Sequence, residues 1–354
     1  MKNFISEFGL TFKQTCLLFS LERQIVVHDI VSSKADNKQE EALKKQMWLN
    51  AWDININNFL NHLGENQNVL IDIAKVNPKQ LLEKIVKEET SEKTKAWRYL
   101  ILLECTLFTP YYPLEQQVSD DESIVDKIKK AFGGLSLNES SQKTSLIMIA
   151  ELLNIDIKYI DIFKRRHQEA LRSLSGFWKK VLLAGSTGMF VAVVIVLFFI
   201  NPIAAAFAAP GLTGAAAFSA GMAALGGGAI AAGGFGITGG IVVLVGGALL
   251  FGGGAGAGIG TLAASSSAIV LTELAKMEVV LKEIILGIQR DTQMMQEIIM
   301  SMNDNLNEMR KEVIILKMEN EKNKNKIKNL EESIEYLKKA IDEFLLKQNN
   351  EAKQ

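Results

Sequence analysis

The sequence predicts an all-α protein built from an N-terminal helical domain, a Gly/Ala-rich multi-span transmembrane helical region and a long C-terminal coiled-coil helix. Three observations support this prediction. Apolar residues recur three and four apart in the first arm, no charged residue occurs from Val181 to Thr272, and a heptad repeat can be followed from Leu274 to Phe344. We therefore expect five segments: a cytosolic sensor or regulatory helical domain at 1–153, a basic connecting helix at 154–180, a transmembrane region at 181–272, a coiled coil at 273–346 and a polar tail at 347–354.

Charge and cysteine usage set the first limits on function. The 354-residue chain has a net charge of −1 and 48% hydrophobic residues, with no basic excess that would indicate a nucleic-acid partner. Glu7 and Lys13 interrupt the N-terminus, which lacks the apolar region of a cleavable signal, so the first arm is expected in the cytoplasm. Cys16 and Cys105 lie among apolar residues, and this context favours buried, reduced thiols over a disulfide.

Apolar periodicity and turn residues divide the first arm into elements. Amphipathic patterns predict helices at about 12–30, 41–63 and 95–108. Pro110 and Pro113 then break the chain. The arm is therefore expected to form an all-helical domain.

Two cap signals predict further helices before residue 154. The stretch from Ser119 to Glu122 matches a capping box, which predicts a helix at about 120–132 that ends at Gly133-Gly134. Asn138 can open the next helix, which is expected to run to about Leu153.

Residues that could carry chemistry are sparse. The histidines His28, His62 and His167 show no metal-binding spacing, so no metal and no cofactor is expected. Trp48 and Trp52 are four residues apart and share one helical face, which favours a place in the core. Because no set of nucleophile, base and acid and no phosphate loop is found, we expect no catalytic residue and no enzyme.

A basic, aromatic cluster directly precedes the uncharged block. The apolar pattern after Asn154 runs into the block without a proline, which predicts one helix that leaves the domain and enters lipid. Lysine and arginine on this side indicate a cytoplasmic flank, and aromatic residues are typical of the membrane interface. The predicted membrane-interface residues are Lys164, Arg165, Arg166, Arg172, Phe177, Trp178, Lys179 and Lys180.

The uncharged block predicts at least two membrane crossings. Residues 181–200 are long and apolar enough to span a bilayer, and 237–262 form a second candidate. The Ala/Gly-rich residues 212–234 either cross or re-enter, so the number of crossings stays open. Glycines at four-residue spacing allow helix backbones to approach closely. The predicted membrane-packing residues are Gly236, Gly240, Gly252, Gly254, Gly256, Gly258 and Gly260.

One part of this block resembles known membrane proteins. Residues 226–240 read GGGAIAAGGFGITGG, and the stretch 221–260 is similar to the glycine-rich hairpins of the small interferon-stimulated membrane proteins and of bacterial membrane proteins with similar repeats. The resemblance implies closely packed membrane helices and bilayer permeabilisation. It implies no catalytic residue.

The last arm shows a heptad repeat with two polar positions in its core. Isoleucine alternates with leucine in the final heptads until Phe344, which is typical of parallel two-stranded coils. Asn320 and Asn323 either fix the register and oligomer order or mark a hinge where the rod bends or folds back. The arm is expected to drive homo-oligomerisation.

These patterns lead to three functional hypotheses. The first is a non-enzymatic, membrane-integral, oligomeric pore-forming or membrane-disrupting effector, such as a bacterial toxin or an antiphage, abortive-infection effector. The second is a soluble α-helical toxin of the cytolysin type that inserts later, and the third is a membrane-anchored coiled-coil scaffold or signal transducer. The expected partners are the lipid bilayer, further copies of the chain and a protein activator or inhibitor at the N-terminal domain. The expected location is a membrane, the inner or plasma membrane if the source is bacterial.

Overall fold

The computed structural model describes residues 10–63, 72–88, 96–111, 134–175, 267–319 and 324–351. All regular secondary structure in these ranges is helical, which confirms the predicted all-α class. The α-helices of this described part are α1 Phe12–Ala35, α2 Gln39–Leu63, α3 Pro78–Glu88, α4 Ala96–Leu107, α5 Glu139–Leu152, α6 Lys158–Ser175, α7 Ser267–Val279, α8 Thr292–Glu319 and α9 Lys324–Glu351. A 3-10 turn, Ile73–Lys75, precedes α3, and a π-helix, Val280–Gln289, follows α7.

The described residues fall into two compact units. The first unit holds those between 11 and 162, and the second holds Leu10 and those between 163 and 351. Helix α6 contributes its first residues to one unit and the rest to the other. The division into five segments from the sequence stays a prediction.

Helix α1 is the centre of the first unit and contacts α2, α3, α4 and α5. It begins with a capping box, in which the Gln14 backbone N–H donates to Thr11 Oγ1 at 3.3 Å and the Thr11 backbone N–H donates to Gln14 Oε1 at 2.8 Å. Two otherwise unsatisfied N–H groups at the helix start thereby find acceptors. Asn138 is the N-cap of α5, and its side chain accepts from the Ser141 backbone N–H at 3.1 Å.

Aromatic side chains fill the core between α1, α2 and the end of α4. The rings of Trp48 and Trp52 stack at 6.1 Å, and Phe19 of α1 meets Trp52 edge-on at 6.2 Å. Phe108 lies 6.3 Å from Trp52. Offset and edge-to-face contacts of this kind add to the free energy of burial of the large side chains. The core position predicted for both tryptophans is confirmed.

The second unit is organised around α7, which is buried on every side from Val270 to its end. The π-helix continues it, and Arg290 ends this segment in a left-handed conformation with φ 57°. Helix α8 then starts with a new cap, in which the Met294 backbone N–H donates to Asp291 Oδ1 at 2.8 Å. The heptad pattern predicts an unbroken helix through this point, whereas the structure breaks it because a local cap competes with the repeat.

Helices α8 and α9 pack against each other as an antiparallel pair. Lys317 Nζ lies 2.6 Å from Glu331 Oε1, and Lys282 Nζ lies 3.9 Å from Glu343 Oε2. Lys282 precedes Lys317 in the chain, whereas its partner Glu343 follows Glu331. The two ion pairs are therefore in the order expected of antiparallel helices. Asn320 and Asn323 lie in the four-residue connection, outside the described residues.

The predicted membrane location, with its transmembrane helices and glycine zippers, is contradicted. None of the helices in the described part of the chain combines the length and the apolar character that crossing a bilayer requires. The two longest, α8 and α9 with 28 residues each, carry charged side chains along their whole length, and α7 contains Glu273, Lys276 and Glu278. Of the predicted region 181–272, residues 181–266 lie outside the described residues.

Candidate interaction surface

A buried ionic network fixes helix α2 in the first unit. Asp29 of α1 is fully buried, and its carboxylate lies 2.6 Å from Lys45 Nζ of α2. The same carboxylate accepts from the Tyr111 hydroxyl at 2.5 Å and from the Asn138 backbone N–H at 2.8 Å. One carboxylate therefore joins α1, α2, the turn after α4 and the start of α5.

The ammonium group of Lys45 has an acceptor for each of its three N–H bonds. Besides Asp29, it donates to Ser33 Oγ at 3.0 Å and lies 2.8 Å from Glu41 Oε1. It also sits 5.3 Å from the centre of the Tyr111 ring. A buried ammonium costs several kcal/mol to desolvate, and a full set of partners offsets this cost. The network is thus a structural lock on α2.

The same network changes the protonation of its neighbours. The hydrogen bond and charge of Lys45 lower the pKa of Glu41, which keeps that carboxylate ionised. Burial and the adjacent Asp29 carboxylate raise the pKa of Tyr111, so its hydroxyl keeps the proton that it donates. Tyr111 adopts a left-handed backbone conformation, φ 70°, and the bond to Asp29 holds it there.

The potential nucleophiles of the first unit are held in unreactive form. Both cysteines are buried and free of disulfides, as their apolar contexts indicate. Burial raises the pKa of Cys16 to about 12, and burial together with the charges of Glu22 and Glu104 raises that of Cys105. Since the thiolate is the nucleophile, neither thiol is activated.

The side of α2 opposite to these ion pairs carries three exposed apolar residues and the exposed Asn50, which accepts from Gln46 Nε2 at 3.0 Å. Leu43 is 63% exposed, Met47 55% and Ile54 60%. They follow one another by one turn and then two turns of helix, so they lie along one side, while Lys45 and Trp52 point into the core. We call these three residues the α2 stripe. Polar groups border it, including the ion pair of Lys44 with Glu40 at 2.7 Å.

A second buried ionic cluster lies in the other unit. Lys276 Nζ is 2.8 Å from Glu273 Oε1 on α7, and both side chains are buried. His167 of α6 is buried nearby, and desolvation together with the charge of Lys276 lowers its pKa to about 3. The imidazole is therefore neutral at physiological pH and a weak base. In the described part of the chain, no three His, Cys, Asp or Glu side chains are arranged to hold a metal ion.

The structure places only part of the sequence-predicted site. Lys164, Arg165, Arg166 and Arg172 lie on α6. Arg166 pairs with Glu169 at 2.9 Å and with Glu283 at 2.8 Å, so its charge is used within the unit. The remaining predicted site residues lie outside the described residues: Phe177, Trp178, Lys179, Lys180, Gly236, Gly240, Gly252, Gly254, Gly256, Gly258, Gly260, Asn320 and Asn323.

Sequence reasoning missed both the Asp29 network and the α2 stripe. The partners of Asp29 lie on separate elements, 82 residues apart in the case of Tyr111, and no local pattern connects them. The stripe does leave a signal, because Leu43, Met47 and Ile54 repeat at helical spacing away from the tryptophan face.

No protein-family model, no curated protein and no solved structure matches this chain. The functional argument therefore rests on the geometry above.

Proposed function

We propose that this chain is a non-enzymatic scaffold whose first unit binds an amphipathic helix of a protein partner along the α2 stripe. The observation that carries the proposal is the alignment of three exposed, large apolar side chains on one side of a helix whose other side is locked by buried ion pairs. Single exposed apolar residues are common on protein surfaces, whereas an aligned set bordered by polar groups is typical of a binding face.

A helix is the partner that this shape favours. The stripe runs from Leu43 to Ile54, eleven residue steps or about 16 Å along α2, and is one side chain wide. A partner helix can place its own apolar ridge beside such a row, as in other helix-binding surfaces. The bordering Glu40 and Lys44 offer both signs of charge to the polar edges of that helix. This partner corresponds to the activator or inhibitor expected at the N-terminal domain.

The state of the buried titratable groups supports a non-enzymatic role. Asp29 and Lys45 are committed to each other, both thiols keep their protons, and His167 stays neutral. Catalytic acids and bases work best with a pKa near the operating pH, and the pKa values of the two thiols and of His167 are shifted away from it.

We also propose that α8 and α9 form an antiparallel coiled coil within one chain. Core positions of the heptad repeat are buried on both helices, among them Met302, Met309, Leu330 and Leu337. The pore-forming and membrane-disrupting hypotheses placed the chain in a membrane, the location contradicted above, and they are not part of this proposal.

Site-specific photo-crosslinking in the cells that produce the chain tests the function. A photoreactive benzoylphenylalanine in place of Met47 should yield one discrete protein adduct. Excess wild-type chain should suppress this adduct, and excess Ile54→Glu chain should not, because a charge in the stripe opposes apolar contact. Exposed surface substitutions of this kind leave stability within about 0.5 kcal/mol.

The matched control carries the same photoreactive residue in place of Lys79, which is exposed on α3 of the same unit. The control should give no discrete adduct. Identical adducts from both positions, or equal competition by both chains, would show that the stripe is not a binding face.

A further inference from the structure

We propose that Glu278 and Glu343 together take up one proton beside the Lys282 ammonium, so that α9 is held on α7 more firmly in mild acid than at neutral pH. The three side chains belong to the second unit, and the inference goes beyond the partner-binding function without depending on it. It rests on the approach of two carboxylates to a single ammonium in a largely buried place.

Three elements meet at this cluster. Glu278 is the next-to-last residue of α7, Lys282 lies in the π-helix that follows, and Glu343 lies on α9. Lys282 Nζ donates to Glu278 Oε1 and lies 3.9 Å from Glu343 Oε2. Both carboxylates therefore approach the same ammonium. Because α7 and α9 pack against each other, the charge of this cluster acts directly on their contact.

The cluster has limited access to water. The Glu278 side chain is 7% exposed, that of Lys282 20% and that of Glu343 29%. Solvent therefore screens these charges less than it screens charges on an open surface. With all three groups ionised, two carboxylates face one ammonium, and one negative charge is in excess. Uptake of one proton removes this excess.

The hydrogen bonds of the two carboxylates also favour a proton. Ser173 of α6 donates to Glu343 Oε1, which leaves Glu343 Oε2 on the side of Lys282. Glu278 Oε2 is buried, and none of the described residues donates to it. A buried acceptor without a donor lowers stability. Protonation of either carboxyl adds an O–H donor to the cluster at the same time as it removes the excess charge.

The other charges around Glu343 are engaged elsewhere. On α6, Arg166 lies 2.8 Å from Glu283 of the π-helix, so this pair is balanced. On α9, Lys339 precedes Glu343 by one turn, and its ammonium lies 3.2 Å from Glu335 Oε1. Helix α8 contributes no charge that acts on Glu343 within the described ranges. A second cation that could neutralise the cluster is therefore not supplied by these neighbours.

The balance of these effects raises the pKa of Glu343 above its ordinary value of 4.5. Burial is the largest cause, the charge of Glu278 adds to it, and the charge of Lys282 opposes both. The folded chain thus keeps a proton to a higher pH than the unfolded chain. The resulting stability is fully present below pH 4.5 and is lost as the pH rises through the raised pKa.

A plain ion pair between Lys282 and Glu343 would have the opposite consequence. In that case the ionised carboxylate would stabilise the contact at neutral pH, and its neutralisation would weaken the contact. The two interpretations therefore predict changes of opposite sign for Glu343→Gln. Glutamine resembles the protonated carboxyl in charge and shape, and its amide oxygen can still accept from Ser173.

Hydrogen exchange of α9 in the full chain, followed by mass spectrometry, tests the proposal. At about pH 7.5, Glu343→Gln should protect the α9 peptide around residue 343 about two- to fivefold more than the wild type, the range expected of a partly solvated charge interaction. The difference should shrink as the pH is lowered towards 4.5, because the wild type then carries the proton. Comparison at equal pH cancels the intrinsic pH dependence of exchange.

A second variant and a matched control complete the experiment. Glu278→Gln removes the neighbouring charge and keeps an oxygen for Lys282, so it should also increase protection at about pH 7.5. Asp342→Asn removes an exposed carboxylate directly beside Glu343 and should exchange as the wild type does at every pH. Circular dichroism checks that each variant keeps its helicity, and if Glu343→Gln does not, the result for Glu278→Gln decides.

Three results would overturn the proposal. Lower protection in Glu343→Gln than in the wild type at about pH 7.5 would identify a plain ion pair with Lys282. A ratio of variant to wild-type exchange that stays constant down to pH 4.5 would show that no proton is taken up. An equal effect of Asp342→Asn would show that any carboxylate of this helix turn acts in the same way.

Discussion

At the residue scale, the Asp29 carboxylate shows how a buried charge can hold several elements together. Its partners come from α2, from the turn after α4 and from the start of α5. Each of these contacts has small net worth, but removing the carboxylate would leave the buried Lys45 ammonium with only Ser33 and the partly exposed Glu41 as partners. Asp29 therefore contributes to stability mainly by satisfying the buried Lys45 ammonium.

We predict that Asp29→Ala lowers the free energy of unfolding by about 3–5 kcal/mol, the usual cost of breaking a buried pair by removing one partner. Adding Lys45→Met to that variant should recover part of the loss, because the buried ammonium that lost one of its two carboxylates is then gone. Urea unfolding followed by tryptophan fluorescence measures both, since Trp48 and Trp52 lie beside the network.

The matched control for this prediction is Glu40→Ala. Glu40 belongs to an exposed pair with Lys44, so its removal should leave the free energy of unfolding nearly unchanged. Equal losses for Asp29→Ala and Glu40→Ala would mean that burial of the network contributes nothing.

The neutral imidazole of His167 makes stability depend on pH. Its pKa is about 3 in the folded chain, against an ordinary value near 6.5. Between these values the unfolded chain binds a proton that the folded chain does not, so the stability contribution is lost as pH falls from 6.5 towards 3. The expected slope from this residue is roughly 1.4 kcal/mol per pH unit in that window.

The measurement compares the wild type with His167→Gln, which keeps a polar side chain of similar reach. Other groups titrate in both proteins, so the difference between the two unfolding free energies isolates the histidine. The unfolding free energy of the wild type should fall relative to that of the variant as the pH is lowered. Parallel curves from pH 6.5 to 4 would show that His167 does not titrate as its burial requires.

At the scale of elements, the two sides of α8 differ in burial. Leu306 is buried on the side that contacts α9, whereas Ile314 is exposed on the other side. Both residues belong to the same helix, so a matched pair of truncations can measure what burial of a side chain contributes to stability.

We predict that Leu306→Ala lowers the free energy of unfolding by about 2–5 kcal/mol, because it leaves a cavity in a packed interface. Ile314→Ala should change it by no more than about 0.5 kcal/mol. Thermal unfolding followed by circular dichroism makes the comparison. A similar loss for both variants would mean that the two sides of α8 are equally buried.

At the scale of the whole molecule, the elements that the sequence predicted well are those specified locally. Apolar periodicity located α1, α2 and α4 within a few residues, and the Asn138 cap located the start of α5. Helix α3 was missed, since its eleven residues bury only Leu82 and Ile85 and its apolar pattern is short.

Contacts between distant residues could not be predicted in the same way. The heptad repeat from Leu274 to Phe344 identified the residues that would be buried, but a repeat does not say whether its partner is another chain or the next helix. The break at Arg290 depends on a single capping side chain, Asp291, within an otherwise continuous pattern. The membrane location was inferred from the uncharged block, its basic and aromatic flank and its glycine spacing, and no described helix supports it.

The α2 stripe and the buried ion pairs lie on opposite sides of one helix, and we predict that partner binding and folding can be separated there. The triple variant Leu43→Glu, Met47→Glu and Ile54→Glu should keep the helicity and the thermal midpoint of the wild type, because all three side chains are exposed. As a competitor it should fail to suppress the adduct formed from position 47, because three charges oppose apolar contact. Circular dichroism and photo-crosslinking measure the two properties. Full suppression of the adduct by a folded triple variant would mean that the partner does not bind the stripe.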